Sequence, residues 1–581
     1  MKIILRSDTL SRSDLAAGLS LTRAFFPQGQ VEVEEEKELV KENEKEAESK
    51  VEGIILIDVY YPEHPWKIRG SFSLKSSMNC SNDNPKEYPE LAEVSISLNE
   101  EKIKSMLAHP YVGRETKKRL LLKRGLIILL AQVTGHRPPW GTLTGIRPSK
   151  VLHRLTDEGY SAKERKGSLR DFYLIRDDKA QLLQEVVSIQ DPFVKRMKSH
   201  PNLVAVYIGI PFCPTRCSYC SFPAYSLSKG REPLVEYLKG LGEEIRVTGE
   251  WMREEGLFAD SIYIGGGTPT ILNNSEISSL INVIGQNIPT INSPPAMSTT
   301  STIEKYSQDY SQDYSQEYSH EYSKEYKKEY KQKYKQEYNQ ELEFTVEAGR
   351  PDTLTQEKLL LLRESGVNRI SINPQTMHNH TLQRIGRAHT VEDILKVYDL
   401  AQKIPGWIIN MDLIIGLPGE NLADIQKTLK VVMEELEPDN LTTHTLAIKR
   451  GSKEHEKGLT QNLSRELEAM QEAVLNSARK MDMVPYYLYR QKHISGNLEN
   501  IGFAKAGLEC RYNIGIMEEY QTVLGLGAGA SSKIVNPKDY SLVSLFHPYS
   551  WQVYLERWKE IQRKREKAHE ELRVCNKHEE G

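Results

Sequence analysis

Beyond about residue 200 the chain alternates two hydrophobic patterns. Short apolar, β-branched runs (LVAVYIGI, SIYIGGG, LEFTVEA, NRISINP, WIINMDLIIGLP and NLTTHTL) each give way to a loop and then to a stretch with helical spacing. Runs of this length and composition read as buried strands, and strands alternating with helices imply a parallel sheet covered by helices. Six such strands fall between Leu203 and Leu446, which predicts an α/β, barrel-like fold. In barrels of this kind chemistry collects on the loops that follow the strands.

The flanking regions follow other patterns. Residues 1–200 read as an N-terminal α+β accessory region: IILIDVYY and AEVSISL are predicted strands. TKKRLLLKRGLIILLAQVTG is a predicted helix that ends at Gly135, before Pro138 and Pro139. The charge run from Val31 to Lys50 is expected to be a solvated helix or an unstructured loop. WGTLTGIRPSK, Trp140 to Lys150, reads as an ordered interdomain connection or an anion contact. Residues 201–450 form the expected barrel, and 451–581 a C-terminal, substrate-side region and tail. From Tyr306 to Tyr338 a tyrosine stands at every fourth position. On a helix these would drift by about 40° per repeat, and a charged helix and disorder are both compatible with the pattern. This insert, about 290–341, falls between the second helix and the third strand. That is the face opposite the chemistry, so it is expected to be dispensable.

Composition narrows the function classes. The chain has 581 residues, of which 39% are hydrophobic and 27% charged, as in a soluble globular protein. A net charge of −3 gives no reason to expect a nucleic-acid or anionic-membrane partner. The longest apolar candidate, Leu126 to Val133, is far shorter than the roughly 20 residues a membrane span needs. The first residues have no secretory pattern, so a cytoplasmic location is expected. Six cysteines are too few for a disulfide framework in a chain this long.

Three of those cysteines crowd together in YIGIPFCPTRCSYCSFPAYS, at Cys213, Cys217 and Cys220, directly after the first predicted strand. Soft thiolates select iron–sulfur clusters, zinc or cuprous copper. A structural zinc wants four closed ligands, whereas a four-iron cluster on three cysteines leaves one iron open as a binding position. A zinc site completed from afar and buried free thiols are the alternatives. One βα unit later, IYIGGGTPT puts three glycines at the end of the second strand. Their backbone can approach a ligand closely, and their N–H groups with the Thr268 hydroxyl are expected to bind a carboxylate or an amino-acid backbone.

These motifs, followed in order by TVEAGRPD, GVNRISINPQT, IGRAHT and NMDLIIGLPGE, resemble the radical S-adenosylmethionine superfamily, in its oxygen-independent coproporphyrinogen III oxidase family. GTLTGIRPSK upstream and PYYLYRQKHISGNLENIGFAKAG downstream resemble the coproporphyrinogen dehydrogenases of that family. The resemblance spans about residues 100–540. It implies a partial (β/α)6 barrel and a [4Fe–4S] cluster held by Cys213, Cys217 and Cys220. It implies that Tyr207 and Tyr219 contact S-adenosylmethionine and that Gly266, Gly267 and Thr268 bind its methionine end. Glu347 matches an acid that contacts a first S-adenosylmethionine, and Gln375, Arg387 and Asp412 match polar positions around a second one. The implied reaction is oxidative decarboxylation of two porphyrinogen propionates to vinyl groups, with a reducing donor such as flavodoxin or ferredoxin. Lys449, Arg450, Arg490 and Lys492 are candidate partners for the substrate carboxylates, and His444, at the end of the sixth strand, is a candidate catalytic contact. Gly209 and Phe222 stand where relatives carry histidine or cysteine. Tyr512, beside Cys510, stands where the related haem chaperones have a histidine. Haem chaperoning, or radical chemistry on another substrate, are the alternative readings.

Overall fold

Each of the six apolar runs is a strand, and all six lie in one sheet. The computed structural model describes residues 2–6, 30–34, 54–58, 67–72, 92–97, 122–128, 130–131, 137–143, 147–220, 225–227, 230–292, 341–447, 464–491 and 498–577. Strands β1 (Lys2–Arg6), β2 (Gln30–Glu34) and β3 (Ile54–Asp58) form a small parallel sheet, and β4 (Lys67–Phe72) pairs antiparallel with β5 (Ala92–Ser97). β2 corrects one expectation. The charge run begins as a strand, because Val31 and Val33 alternate with glutamates in the period of two that a pleated edge accepts. The rest of the run lies outside the described residues. Residues 122–128 are helical, within the expected helix.

β6 (Leu203–Ile210) is followed by two short paired strands, β7 (Phe212–Cys213) and β8 (Tyr225–Ser226). β9 (Phe258–Gly266), β10 (Glu343–Glu347), β11 (Arg369–Ser371), β12 (Ile408–Ile415) and β13 (Asn440–Thr445) then continue the sheet from β6, every pair parallel. Helices such as Glu232–Glu254 and Asn274–Asn287 connect consecutive strands, as parallel pairing requires.

The βα periodicity gave no sign of how the C-terminal region joins this sheet. β14 (Met483–Tyr489) and β15 (Asn500–Lys505) form an antiparallel hairpin on the β13 edge. β16 (Val523–Leu526) pairs in parallel with β6, and β17 (Ser531–Val535) and β18 (Leu542–Phe546) continue beyond it, giving eleven strands. Region 451–581 therefore prolongs the barrel sheet at both edges. Part of the N-terminal region, from Trp140 to Gln190, is hydrogen-bonded to the C-terminal elements. Glu518, buried on the helix Arg511–Glu518, accepts from Ser149 Oγ at 2.7 Å and Gln190 Nε2 at 2.9 Å. Glu499 accepts from Trp140 Nε1 at 2.7 Å and Lys179 Nζ at 2.6 Å. Among the described residues no helix is long and apolar enough to cross a membrane.

The tyrosine repeat lies outside the described residues, but its two roots do not. Ala259 N–H donates to Pro289 O at 2.8 Å and Ile291 N–H to Ala259 O at 3.0 Å, so 289–291 run beside the start of β9. Glu343 takes up the same column two rungs on, opposite Ser261. The chain thus leaves and re-enters the sheet two rungs apart, at the end of the barrel opposite the cysteines. Closing a long loop on ends already held together costs little more than closing a short one. Joining Asn292 directly to Glu341 is therefore expected to leave folding and iron incorporation intact. Insoluble or iron-free protein from that deletion would contradict it.

A buried charge cluster clasps the C-terminal helix Trp551–Lys577 to the helix Glu232–Glu254. Glu244 accepts from Gly527 N–H at 2.9 Å and Tyr554 OH at 2.7 Å, and faces His547 Nε2 at 2.9 Å and Arg565 Nη2 at 3.5 Å. Burial alone would push its carboxyl up, but His547 and Arg565 outweigh this and hold it below the usual range. Glu244→Leu leaves Arg565 buried without its acid, a loss of about 3–5 kcal/mol. Its denaturation midpoint should fall clearly below wild type, and Glu244→Leu/Arg565→Met should recover part of the loss.

Candidate active site

The cysteine loop is pinned on both flanks. Ser218 N–H donates to Ile385 O at 3.0 Å, Thr215 Oγ1 to Gly386 O at 3.2 Å, and Arg350 Nη1 to Thr215 Oγ1 at 3.0 Å. A tight turn brings Cys220 N–H to Cys217 O at 3.2 Å. None of Cys213, Cys217 and Cys220 is in a disulfide, and each is half-buried. Burial pushes the Cys213 thiol up to about 11, against a hydrogen bond from Thr268 Oγ1 at 3.4 Å. Among the described residues no three His, Cys, Asp or Glu side chains close on a point as the ligands of a single ion would. A four-iron cluster makes no such demand, because each thiolate takes a different iron. Three cysteines outside any disulfide, carried on one anchored turn, fit that group.

The glycine turn does something other than expected. Gly267 N–H donates to Ile210 O at 2.7 Å, Thr268 N–H to Phe212 O at 2.8 Å, and Gly266 N–H to Glu347 Oε2 at 3.1 Å. These donors are engaged within the protein and do not form a free anion cradle. The turn instead ties the end of β9 to the strand carrying Cys213. A Cβ at Gly267 would sit 2.5 Å from Phe212 O and 2.9 Å from Cys213 Sγ, so only glycine permits the approach.

Strand alternation places a polar ring above this junction. Glu347, at the end of β10, accepts from Tyr263 OH at 2.8 Å. Its carboxyl is pushed up to about 7, first by burial and further by the charge of Asp412, against the Tyr263 hydrogen bond. Asp412 Oδ1 accepts from Asn410 Nδ2 at 2.8 Å, and His444 Nε2 stands 3.8 Å from Asp412 Oδ2. His444 Nδ1 in turn meets Tyr489 OH at 3.2 Å. Gln375 adopts φ +67°, and its peptide bonds to Asp412 O and Ile414 N–H at 2.9 and 3.0 Å. Backbone strain of that kind in a non-glycine residue collects at functional sites. Arg387 turns toward the cysteine loop, donating to Gly349 O, Asn373 O and Tyr219 OH at 2.9, 3.0 and 3.2 Å.

Tyr207 lies in a stack with Tyr263 and Tyr512, whose ring centroids are 4.4 Å apart. Tyr512 therefore packs within the barrel, and Cys510 Sγ donates to Glu343 Oε1 at 3.3 Å in the buried core. Arg490 is buried, donates to Leu143 O and lies 5.8 Å over the Trp140 ring, so it serves packing and not substrate. Gly209 has little room for a side chain, since its Cβ would lie 3.2 Å from Ala528 O. Lys449, Arg450, Lys492 and Phe222 lie outside the described residues. Sequence reasoning passed over Tyr263, Asn373, Asn410 and Tyr489. Asn410 stands two positions before Asp412 on β12, the strand period that carries a side chain to the same face.

Gly267→Ala is expected to lower iron content per chain and the absorbance near 400 nm. Gly285→Ala, on an open helix position with nothing within 4 Å, should leave both unchanged. Equal iron in the two variants would contradict the close-approach argument.

The Radical SAM superfamily profile matches residues 207–432. The chain is 38% identical over 437 residues to the oxygen-independent coproporphyrinogen-III oxidase-like protein HemZ of Bacillus subtilis (strain 168), covering 74% of this chain and 77% of the relative. It is 29% identical over 334 residues to the heme chaperone HemW of the same organism, covering 57% and 71%. Among solved structures, coproporphyrinogen III oxidase (HemN) from Escherichia coli aligns with a TM-score of 0.44 and 18% identity, over 64% of this chain and 72% of that one. The superfamily uses a [4Fe–4S] cluster and S-adenosylmethionine. An α/β sheet with three cysteines after its first strand, the superfamily match and the 38% relative together place the chain in the radical SAM superfamily, among the oxygen-independent coproporphyrinogen-III oxidase-like proteins.

Proposed function

We propose that this protein oxidatively decarboxylates propionate side chains of coproporphyrinogen III to vinyl groups, giving protoporphyrinogen IX. The observation that carries this reading is the polar ring of Glu347, Asp412, His444 and Tyr489, joined through Asn373 and Arg387 to the three-cysteine loop. The name of the relative at 38% identity supports the choice of substrate. Cys213, Cys217 and Cys220 hold the cluster. When bound, the cluster and S-adenosylmethionine supply a carbon-centred radical in place of any protein nucleophile. Each propionate loses one hydrogen atom from the carbon β to its carboxylate, one electron to an external acceptor, and carbon dioxide, leaving a vinyl group. A reducing protein such as a flavodoxin or ferredoxin supplies the initiating electron.

The chain's own residues orient and shield. Tyr219, fixed by Arg387, keeps the loop between Cys217 and Cys220 in one arrangement. The Glu347 carboxylate accepts from ribose hydroxyls and favours a nearby sulfonium, while Asp412 and His444 hold polar groups of the ligands from the opposite strands. The apolar sheet beneath excludes water from the radical.

Anaerobic incubation of iron-reconstituted protein with S-adenosylmethionine, a reductant and coproporphyrinogen III should release carbon dioxide and vinyl product. Tight haem binding without turnover would assign the chain to chaperoning. Cleavage of S-adenosylmethionine with neither outcome would point to another substrate. Because the Glu347 carboxyl is pushed up to about 7, it loses its negative charge as pH falls through neutrality. S-adenosylmethionine affinity should weaken below that point in wild type and stay flat with pH in Glu347→Gln, as read by equilibrium binding. A flat wild-type profile would remove Glu347 from the contact.

A further inference from the structure

The large apolar side chains that this chain leaves in water gather in one place. Among the described residues they are Val235, Leu360, Val543, Phe546, Tyr549 and Val553. The last four lie close together in sequence, on β18 and at the start of the helix Trp551–Lys577. Phe546 and Tyr549 are 68% and 66% exposed. β18 is also the last strand of the eleven-stranded sheet, paired with β17 on one side and, among the described residues, with no strand on the other. An open sheet edge is usually blunted by charge, but from Ser541 to Val553 there is no Asp, Glu, Lys or Arg. An uncharged apolar patch of this kind marks a docking surface.

What lies beneath the patch says what docks on it. Aromatic contacts run from it to the cysteine loop along two routes, both starting at Phe212, the residue before Cys213 on β7. On one, the Phe212 ring lies 5.5 Å from that of Tyr237, Tyr237 lies 5.5 Å from Tyr554, and Tyr554 lies 5.3 Å from His547, the neighbour of Phe546. The other is shorter. The Phe212 ring lies 6.1 Å from that of Tyr225, whose N–H donates to Pro211 O at 2.9 Å and whose hydroxyl lies 3.5 Å from Tyr549 O. Tyr549 is thus one side chain away from the strand that carries Cys213. Electron transfer weakens steeply with distance, so a carrier protein has to dock where the path to the acceptor is short. We propose that Val543, Phe546, Tyr549 and Val553 form the docking face of a flavin-bearing electron carrier that reduces the cluster on Cys213, Cys217 and Cys220. The anionic reduced flavin gives up one electron and the oxidised cluster gains it, and no bond or proton changes hands. An uncharged face with two exposed aromatic rings suits the apolar edge of a flavin, whereas a carrier recognised by charge finds no counter-ion between Ser541 and Val553. Redox partners meet over small interfaces, under about 1,200 Å² in total, and a strand edge with four apolar side chains is of that scale. The proposal rests on the cluster and reducing-protein reading above, and not on the identity of the substrate.

The test separates docking from electron flow and needs no porphyrinogen. Wild type, the double variant Phe546→Ser/Tyr549→Ser and the control Leu360→Ser, exposed on the helix Gln356–Glu364, are reconstituted with iron anaerobically. Binding of oxidised flavodoxin is measured by calorimetry. Stopped-flow absorbance then follows cluster reduction by reduced flavodoxin and, separately, by dithionite, which needs no docking face. In the double variant the Kd for flavodoxin should rise at least tenfold and the second-order rate with reduced flavodoxin should fall as far. Its iron content and dithionite rate should match wild type, and Leu360→Ser should match wild type throughout. Should the double variant lose iron, Phe546→Glu, which puts a charge on the patch, is expected to weaken flavodoxin binding by itself. Wild type that does not bind flavodoxin overturns the proposal, as does a double variant that binds and is reduced like wild type. Loss of ferredoxin binding with flavodoxin binding retained would assign the patch to an iron–sulfur carrier and overturn the flavin. A wild-type dimer in sedimentation that the double variant abolishes, with flavodoxin binding unchanged, would give β18 to a second copy of this chain. Wild type that takes up no cluster sinks the cluster assignment and the proposal with it, whereas failure to decarboxylate coproporphyrinogen III touches only the substrate.

Discussion

The mouth of this barrel depends on one close approach. The backbone at Gly267 lies against the Phe212 carbonyl and the Cys213 sulfur, where any larger residue would push the second strand's loop off the first. Because Gly267 and Thr268 donate to Ile210 and Phe212, the cysteine strand and the glycine turn are a single rigid piece. Gly266 then passes that order to Glu347, and Glu347 passes it to Tyr263. The cysteine positions, the acid and the tyrosine stack are thus fixed by one run of backbone and carboxylate hydrogen bonds, and a radical site needs that rigidity because a loosely held radical reacts with whatever is nearest.

The second organising feature is charge. Several buried arginines of the fold are balanced locally by an acid. Arg350 has Asp352, Arg369 has Glu343, and Arg565 has Glu244. Arg387 departs from this arrangement, and it does so at the cysteine loop. Glu347, by contrast, is buried and has the like charge of Asp412 nearby, and these outweigh its hydrogen bond from Tyr263, so it holds its proton more strongly than an exposed glutamate.

The enclosing sheet shows how the C-terminal region contributes. β14 and β15 bring Tyr489 to His444, and β16 runs beside β6, where its following loop limits the space at Gly209. The N-terminal helices are tied to those same C-terminal elements through Glu499 and Glu518. The segments that flank the tyrosine repeat join the sheet at the far end, two rungs apart along β9.

Much of the fold and part of the site were legible in the chain alone. Six strands were readable because a buried parallel strand must be a short apolar run, and a parallel neighbour forces a helix between them. Cys213, Cys217 and Cys220 were readable because thiols at close spacing are rare and their chemistry is local. The eleven-stranded extent was not readable, since β16 pairs with β6 across more than three hundred residues and no periodicity records a long-range pairing. The glycine turn was found, but its donors were assigned to a ligand when the tertiary contacts give them to Ile210 and Phe212. Arg490 looked free as a sequence position and is buried against Trp140. Local pattern decides which segments are strands and which side chains carry chemistry. Only the folded chain decides which hydrogen-bond donors are already taken and which charges are left without a partner, because both depend on contacts between residues far apart in sequence.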